Sequence, residues 1–170
     1  MIKNVCKEQV FNGIFKSVSK DLHDFLYYKY GHENNPQDIV QSAFEKLWKN
    51  CKDVIPAKAK SYLFTVANNE MLNIISRKKT SLNYKLHSYK NYTTETPEFV
   101  LEEKEYHERL KKALEELTED QRVTFMLNRV EGKKHKEIAE MLGISRKAVE
   151  KRIYTALKIL RQKVELENFS

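Results

Sequence analysis

The sequence predicts an all-α fold in which two small helical domains are joined by a flexible linker, with a helix-turn-helix in the C-terminal domain. Gly 4 and Pro 3 make seven of 170 residues, whereas average usage of this pair is about 12%. Apolar residues recur at spacings of three and four, and strand-like alternation is nowhere sustained. Few turn-forming residues together with a helical period are typical of packed helices rather than sheet.

The first predicted domain, residues 1–80, contains three helices. Apolar residues at helical spacing mark two of them, over 10–18 and 40–48. The third is predicted over 59–79, entered after Pro56. It ends in three basic residues, which suit the negative end of a helix dipole.

A linker is predicted over residues 81–100. This stretch is polar, contains several tyrosines, shows no hydrophobic periodicity and has a proline near its end. The second domain, 101–168, resumes the helical spacing of leucines. A boundary at Thr118 to Arg122 separates two of its helices, and Gly132 is predicted to cap the later one.

The chain carries 31 Lys+Arg against 24 Asp+Glu, for a formal net charge of +7. Charged residues interrupt the N-terminal segment and no window approaches 18 apolar residues, so secretion and membrane insertion are not expected. Cys6 and Cys51 lack metal-ligand spacing and are too few for a disulfide framework, so reduced thiols in the cytoplasm are expected. Scattered histidines and the lack of a Gly-rich phosphate loop predict no catalysis, metal or cofactor.

The positive charge lies in two blocks. Residues 58–90 hold seven Lys/Arg against Glu70 alone, and residues 133–163 hold ten against three Glu. Between them, residues 102–120 have a net charge of −4, from eight acidic and four basic side chains. A basic excess alone fits nucleic acid, an anionic membrane, an acidic partner or solubility, so the choice depends on the motifs inside the blocks.

The second basic block contains the features of a helix-turn-helix over 136–157. Ala139 is small where two helices must cross, Gly143 suits a left-handed turn, and Ser145 is a good N-cap. An ordinary hairpin with a charged face is the alternative, but cap, turn, apolar spacing and charge agree over this stretch. The predicted DNA-contacting residues are Ser145, Arg146, Lys147, Glu150, Lys151 and Arg152.

The first basic block places several amide side chains on one helix, although Asn has poor helix propensity. Amides can hydrogen-bond base edges, a tyrosine can stack on a base, and the basic residues that follow can contact the phosphates of the nucleic acid. The alternative is that these amide side chains are simply exposed to solvent and contact no ligand. The residues concerned are Tyr62, Asn68, Asn69, Asn73, Arg77, Lys78 and Lys79.

With both blocks in view, the chain resembles bacterial sigma factors of the extracytoplasmic-function (ECF) type, within the sigma-70 family. Residues 37–48 look like the helix of that family that binds polymerase, and 61–79 look like the element that reads the −10 promoter sequence. Residues 114–125 and the helix-turn-helix after them look like the domain that reads −35. The resemblance implies three partners: core RNA polymerase through its β′ clamp coiled coil and β flap, promoter DNA, and an anti-sigma factor.

The resemblance also implies residue roles. Lys46 would lie near the unpaired −10 strand, and Asn69 would line a pocket for a flipped base. The residues implied to face polymerase, or to support the helix that does, are Asp38, Gln41, Phe44 and Trp48. The chain departs from the family pattern at Tyr62, Asn68 and Asn73, where many relatives have Trp, Arg and Asp, so its −10 preference stays open.

Two other functions fit part of the sequence. A helix-turn-helix repressor or activator with an N-terminal helical sensing domain explains the C-terminal half equally well, but it leaves the Asn-rich basic block unexplained. An RNA-binding or membrane-surface protein would use the basic residues without reading bases.

Overall fold

A computed structural model describes the backbone of residues 4–82 and 99–166, and the side chains of residues 4–78 and 105–163. In these ranges the chain is all-α, as predicted, and no strand occurs. Its helices are α1 (Glu8–Tyr30), α2 (Pro36–Lys49), α3 (Ala59–Leu82), α4 (Phe99–Glu115), α5 (Glu119–Arg129), α6 (His135–Leu142) and α7 (Arg146–Leu166).

Local sequence signals account for several helix ends. Helix α2 has Pro36 at its first position, where the missing N–H costs nothing. Thr118 and Gln121 form a reciprocal capping box at the start of α5. Gly132 has φ +66° in the turn after α5. The capping box confirms the predicted helix boundary at Thr118, whereas the C-cap of α5 is Val130, so the predicted cap at Gly132 lies two residues too late.

Helices α1, α2 and α3 form the N-terminal bundle around a core of aliphatic side chains. Its fully buried large members are Val5, Leu22, Leu26, Leu47, Leu63 and Met71. Helices α4 to α7 form the C-terminal bundle, in which Val123, Leu127, Ile138, Val149 and Ile153 are buried. The predicted apolar positions of α2 are largely buried, but in α1 the core lies further along the helix, at Leu22, Phe25 and Leu26, and the predicted Phe15 is exposed.

The predicted boundaries differ by a few residues from the helix ends. Helix α3 continues to Leu82, two residues past the end of the predicted first domain, and α4 begins at Phe99, inside the predicted linker. Residues 83–98, which make up most of that linker, lie outside the described residues.

Cys6 and Cys51 form a disulfide, with 4.9 Å between their Cα atoms. The expectation of two reduced thiols was therefore wrong for this structure. The fold brings together the segment before α1 and the end of α2, which are 45 residues apart, and no local spacing signals such a pair.

The two bundles pack against each other, with α1 on α5 and α3 on α6. A single apolar cluster continues from the N-terminal core into buried residues of the helix-turn-helix, including Ile138 and Met141. Within the described ranges, no helix is long and apolar enough to cross a membrane.

Candidate nucleic-acid interface

The predicted helix-turn-helix is formed by α6, a tight turn and α7. Gly143 takes the left-handed conformation of the turn, with φ 65° and ψ 34°. Ser145 caps α7, since its hydroxyl accepts a hydrogen bond of 3.1 Å from the Ala148 N–H. The small Ala139 and the apolar Leu142 and Ile144 pack against the shared core.

The outer side of α7 presents the predicted recognition residues unequally. Arg146 is 72% exposed at its side chain, and Lys147 and Lys151 are also exposed. Arg146 donates through Nε to Glu150 at 3.1 Å, which orients the guanidinium along the helix. Arg152 is only 27% exposed, and it donates to Asp120 on α5 at 2.9 Å. Arg146, Lys147 and Lys151 are therefore exposed on the outer side of α7, whereas Arg152 is largely covered and bonded to another helix.

Four residues predicted to read −10, three of them on α3, line one cavity of about 550 Å³. They are Lys46, which α2 contributes, with Asn69, Asn73 and Arg77. Asn69 and Asn73 are four residues apart, so they lie one above the other on the same face of the helix. The cavity combines amides that can pair with a base edge and cations that can hold a phosphate.

Glu70 is a cavity residue that the sequence analysis did not assign to the site. It accepts hydrogen bonds from the Ser42 hydroxyl at 2.8 Å and from Lys46 Nζ at 2.8 Å. Its carboxylate therefore fixes the lysine at the cavity edge and can itself accept from the amino group of cytosine. The sequence does mark this residue, because Glu70 is the one acidic residue within the first basic block.

Three other predicted residues lie apart from this cavity. Asn68 lines a different cavity together with Gly143 and Arg152 of the C-terminal bundle, and its Oδ1 accepts from Tyr30 Oη of α1 at 2.6 Å. Tyr62 accepts from Asn50 and lines a different cavity of about 460 Å³. Lys78 donates to the α1–α2 connection, at 3.1 Å from Asn34 Oδ1. Lys79 falls outside the described side chains.

An aromatic groove of about 840 Å³ lies on the surface between α1 and α2. Its aromatic lining residues are Phe11, Phe15, Phe44 and Trp48. Phe15 and Trp48 are each 46% exposed, whereas Phe44 is buried beneath them. Of the other residues implied to face polymerase, Gln41 lines the groove and Asp38 is exposed in the first turn of α2, outside it.

The fold combines a helix-turn-helix with a cavity lined by amide and basic side chains on the other bundle, an arrangement typical of DNA-binding proteins. Both halves of the chain match known protein families. Residues 14–80 match the family described as Sigma-70 region 2, and residues 107–160 match Sigma-70, region 4. Together these matches cover more than half of the chain, which belongs to the sigma-70 family.

Individual relatives agree with this assignment. The chain is 24% identical over 166 residues to the ECF RNA polymerase sigma factor SigX of Bacillus subtilis (strain 168), covering 94% of this chain and 86% of SigX. It is 28% identical over 150 residues to the RNA polymerase sigma factor SigV of the same organism, covering 86% and 84%.

A solved structure supports the fold. The sigma factor RpoE, in complex with the anti-sigma factor NepR from Bartonella quintana, superposes with a TM-score of 0.58 at 21% identity, covering 91% of this chain and 96% of that one. These matches do not favour a repressor or activator with a sensing domain.

Proposed function

We propose that this chain is an alternative sigma factor of the ECF type, which binds core RNA polymerase and directs it to promoters by reading −35 and −10 elements. The observation that carries the proposal is the cavity where Lys46, Asn69, Asn73 and Arg77 meet, on a bundle separate from the helix-turn-helix. A simple operator-binding protein has no need of a second, amide-lined site.

At the −10 element, the cavity on α3 would receive a base from the melted strand. Extruding a base costs a few kcal/mol, which the pocket must return through hydrogen bonds and packing. Asn69 supplies both a donor and an acceptor to the base edge, and Arg77 supplies charge for the backbone. Lys46, oriented by Glu70, would hold the adjacent phosphate of the strand.

At the −35 element, α7 would enter the major groove. Arg146 and Lys147 in its first turn are exposed, and this end of a recognition helix is the end that reaches bases. Arg146 suits a bidentate contact to guanine, while Lys147 and Lys151 suit phosphates.

The aromatic groove supplies a surface for polymerase. The exposed Trp48 and Phe15 present apolar surface to a partner. Polar side chains beside them, such as Gln41, can fix the position of that partner along the groove. A helical partner fits such a groove through residues repeated along one face, which suits the β′ clamp coiled coil. The β flap would contact the C-terminal bundle.

Regulation by an anti-sigma factor is part of the proposal, because the superposed sigma factor RpoE is in complex with one. The site of action would be the cytoplasm, where polymerase and promoter DNA are found. The chemistry of RNA synthesis would belong to polymerase, so the chain itself would carry no catalytic residue.

Reconstituted transcription tests this function. Core polymerase with the chain should produce discrete transcripts from genomic fragments, and core polymerase alone should not. Trp48→Ala should weaken core association, whereas Lys52→Ala, an exposed change outside the groove, should not. Failure to initiate on any fragment, with folded protein and active core, would contradict the proposal.

A further inference from the structure

We propose that Cys6 and Cys51 form a thiol–disulfide exchange site, at which a dithiol reductant sets the state of the aromatic groove. With the disulfide formed, the groove is ordered and binds a helical partner tightly. With the disulfide reduced, one side of the groove loosens and the same partner binds weakly. The choice of core polymerase as that partner rests on the proposed function, whereas the coupling of the disulfide to the groove does not.

The disulfide lies at one end of the aromatic groove. Cys6 comes just before α1 and Cys51 just after α2. The Cys51 N–H donates to the Trp48 carbonyl at 3.2 Å. The Trp48 ring in turn meets the edge of the Phe11 ring of α1, with 5.0 Å between the ring centroids. The covalent link and the aromatic pair therefore join the same two helix ends.

The first half of α1 has few other anchors. In this helix, which the structure describes over its full length, the buried residues begin at Val18. Before that point Phe11 is half-buried and Phe15 is exposed, and these two rings form the α1 wall of the groove. The N-cap residue Lys7 makes no capping hydrogen bond through its side chain. The disulfide, together with the buried Val5, therefore holds the start of α1 in place.

The α2 side of the groove keeps its anchors when the disulfide opens. The Asn50 amide after α2 donates to the Tyr62 hydroxyl of α3 at 2.9 Å and to the Lys46 carbonyl at 3.0 Å. Phe44 and Leu47 of α2 are buried in the N-terminal core. Reduction should therefore release the α1 wall from an α2 wall that stays in place, because local opening starts where buried contacts are few. A partner must then order the α1 wall as it binds, which lowers its affinity.

The accessibility of the two cysteines sets the order of the exchange. Cys6 is half-buried, whereas Cys51 is 9% exposed. An incoming thiolate therefore attacks Cys6 Sγ and forms a mixed disulfide, while Cys51 leaves as a thiolate and takes up a proton. The second thiol of the dithiol then displaces Cys6 Sγ, which takes up the second proton. The chain gains two electrons and two protons, and the reductant leaves as a disulfide.

The direction of the effect follows from the place where the chain would act. Cytoplasmic thiols are kept reduced, and the disulfides that do form there are usually transient and serve catalysis or redox sensing. Under the proposed function, the chain would therefore recruit polymerase most strongly when the thiol pool of the cell is oxidised.

The coupling is tested first without polymerase. Trp48 is the one tryptophan of the chain, so its fluorescence reports the groove. Dithiothreitol should open the disulfide in the folded chain, as shown by thiol titration, and should raise the acrylamide quenching constant of Trp48. Oxidised glutathione should reverse both changes. The control Cys6→Ser/Cys51→Ser should match the reduced chain and should not respond to dithiothreitol.

Two results of this experiment would overturn the proposal. The first is a quenching constant that stays the same after the disulfide has been reduced. The second is a disulfide that opens only when far-ultraviolet circular dichroism shows the chain to be unfolded, because the cross-link would then be structural rather than exchangeable.

The consequence for binding is tested with core RNA polymerase and a dye-labelled full chain, by fluorescence anisotropy. The oxidised chain should bind about fivefold more tightly or better than the reduced chain, the low end of a typical coupling between two sites. By linkage, bound polymerase should make the disulfide harder to reduce by the same factor in a glutathione buffer. The Cys6→Ser/Cys51→Ser variant should bind like the reduced chain in either buffer.

The outcomes separate this proposal from the sigma-factor function. Equal affinities of the oxidised and reduced chains for core polymerase would keep the function and overturn the redox coupling. A reversible response of Trp48 to reduction, with no binding of either form to active core polymerase, would keep the exchange site and contradict the function.

Discussion

The Cys6–Cys51 disulfide should contribute about 4 kcal/mol to the stability of the oxidised chain. It joins residues 45 positions apart and so ties the segment before α1 to the end of α2. In the chain-entropy treatment a loop of this length removes about 13 cal/mol/K from the unfolded ensemble, which is about 4 kcal/mol at 25 °C. Reduction of the disulfide restores that freedom and should destabilise the N-terminal bundle.

Urea unfolding followed by far-ultraviolet circular dichroism measures this difference. With a denaturant slope of about 2 kcal/mol/M, the midpoint should fall by about 2 M when a phosphine reductant is added. The double variant Cys6→Ser/Cys51→Ser should unfold near the reduced protein and should not respond to the reductant. Thiol titration under native conditions verifies the starting state.

Two results would refute this reasoning. If thiol titration finds two reactive thiols in protein kept from reductants, the disulfide is not formed. If the thiols are absent but the reductant moves the midpoint by less than about 0.5 M, loop closure does not control the stability of this bundle.

Three further predictions concern the DNA-reading elements and the contact between bundles. Asn69→Ala should impair strand opening, measured by permanganate reactivity, while core association by gel filtration stays intact; parallel loss of both would contradict the pocket role. Arg146→Ala should cost about 1–3 kcal/mol at one −35 position and relax preference there, as titrations of single-base promoter variants would show; a uniform loss would indicate a phosphate contact. Hydrogen bonds from Lys20 lower the pKa of Glu131 below its ordinary 4.5, so this stabilisation is present above that pH and lost as pH falls through the lowered value. Thermal unfolding followed by circular dichroism should therefore show the unmodified chain losing more stability on acidification than Glu131→Gln, and equal losses would contradict this linkage.

The helices and the helix-turn-helix were predictable because their signals are local. A turn glycine at 143, a cap at Ser145 and apolar residues at helical spacing act within a few residues of one another. The grouping of Lys46 with Asn69 came from the family resemblance rather than from spacing, since the two lie on different helices.

Features that depend on tertiary contacts were missed. The cysteines pair across 45 residues, and nothing near either residue signals the other. The docking of the bundles was missed because a polar linker predicts separate domains, while the contacts that join them, such as Glu131 with Tyr28, span 103 residues. Glu70 differs in charge from the rest of its basic block, but its role depends on the hydrogen bonds from Ser42 and Lys46, which come from another helix.

Asp120 has a consequence for how proteins of this kind can diverge. One carboxylate holds a side chain of the recognition helix and also lies beside the lysine that contacts Asn68. Under the proposed function, a change at this position would alter both the side chain that Arg152 presents towards −35 DNA and the contact between the bundles. Because Asp120 takes part in both contacts, the two properties would change together whenever this residue is replaced.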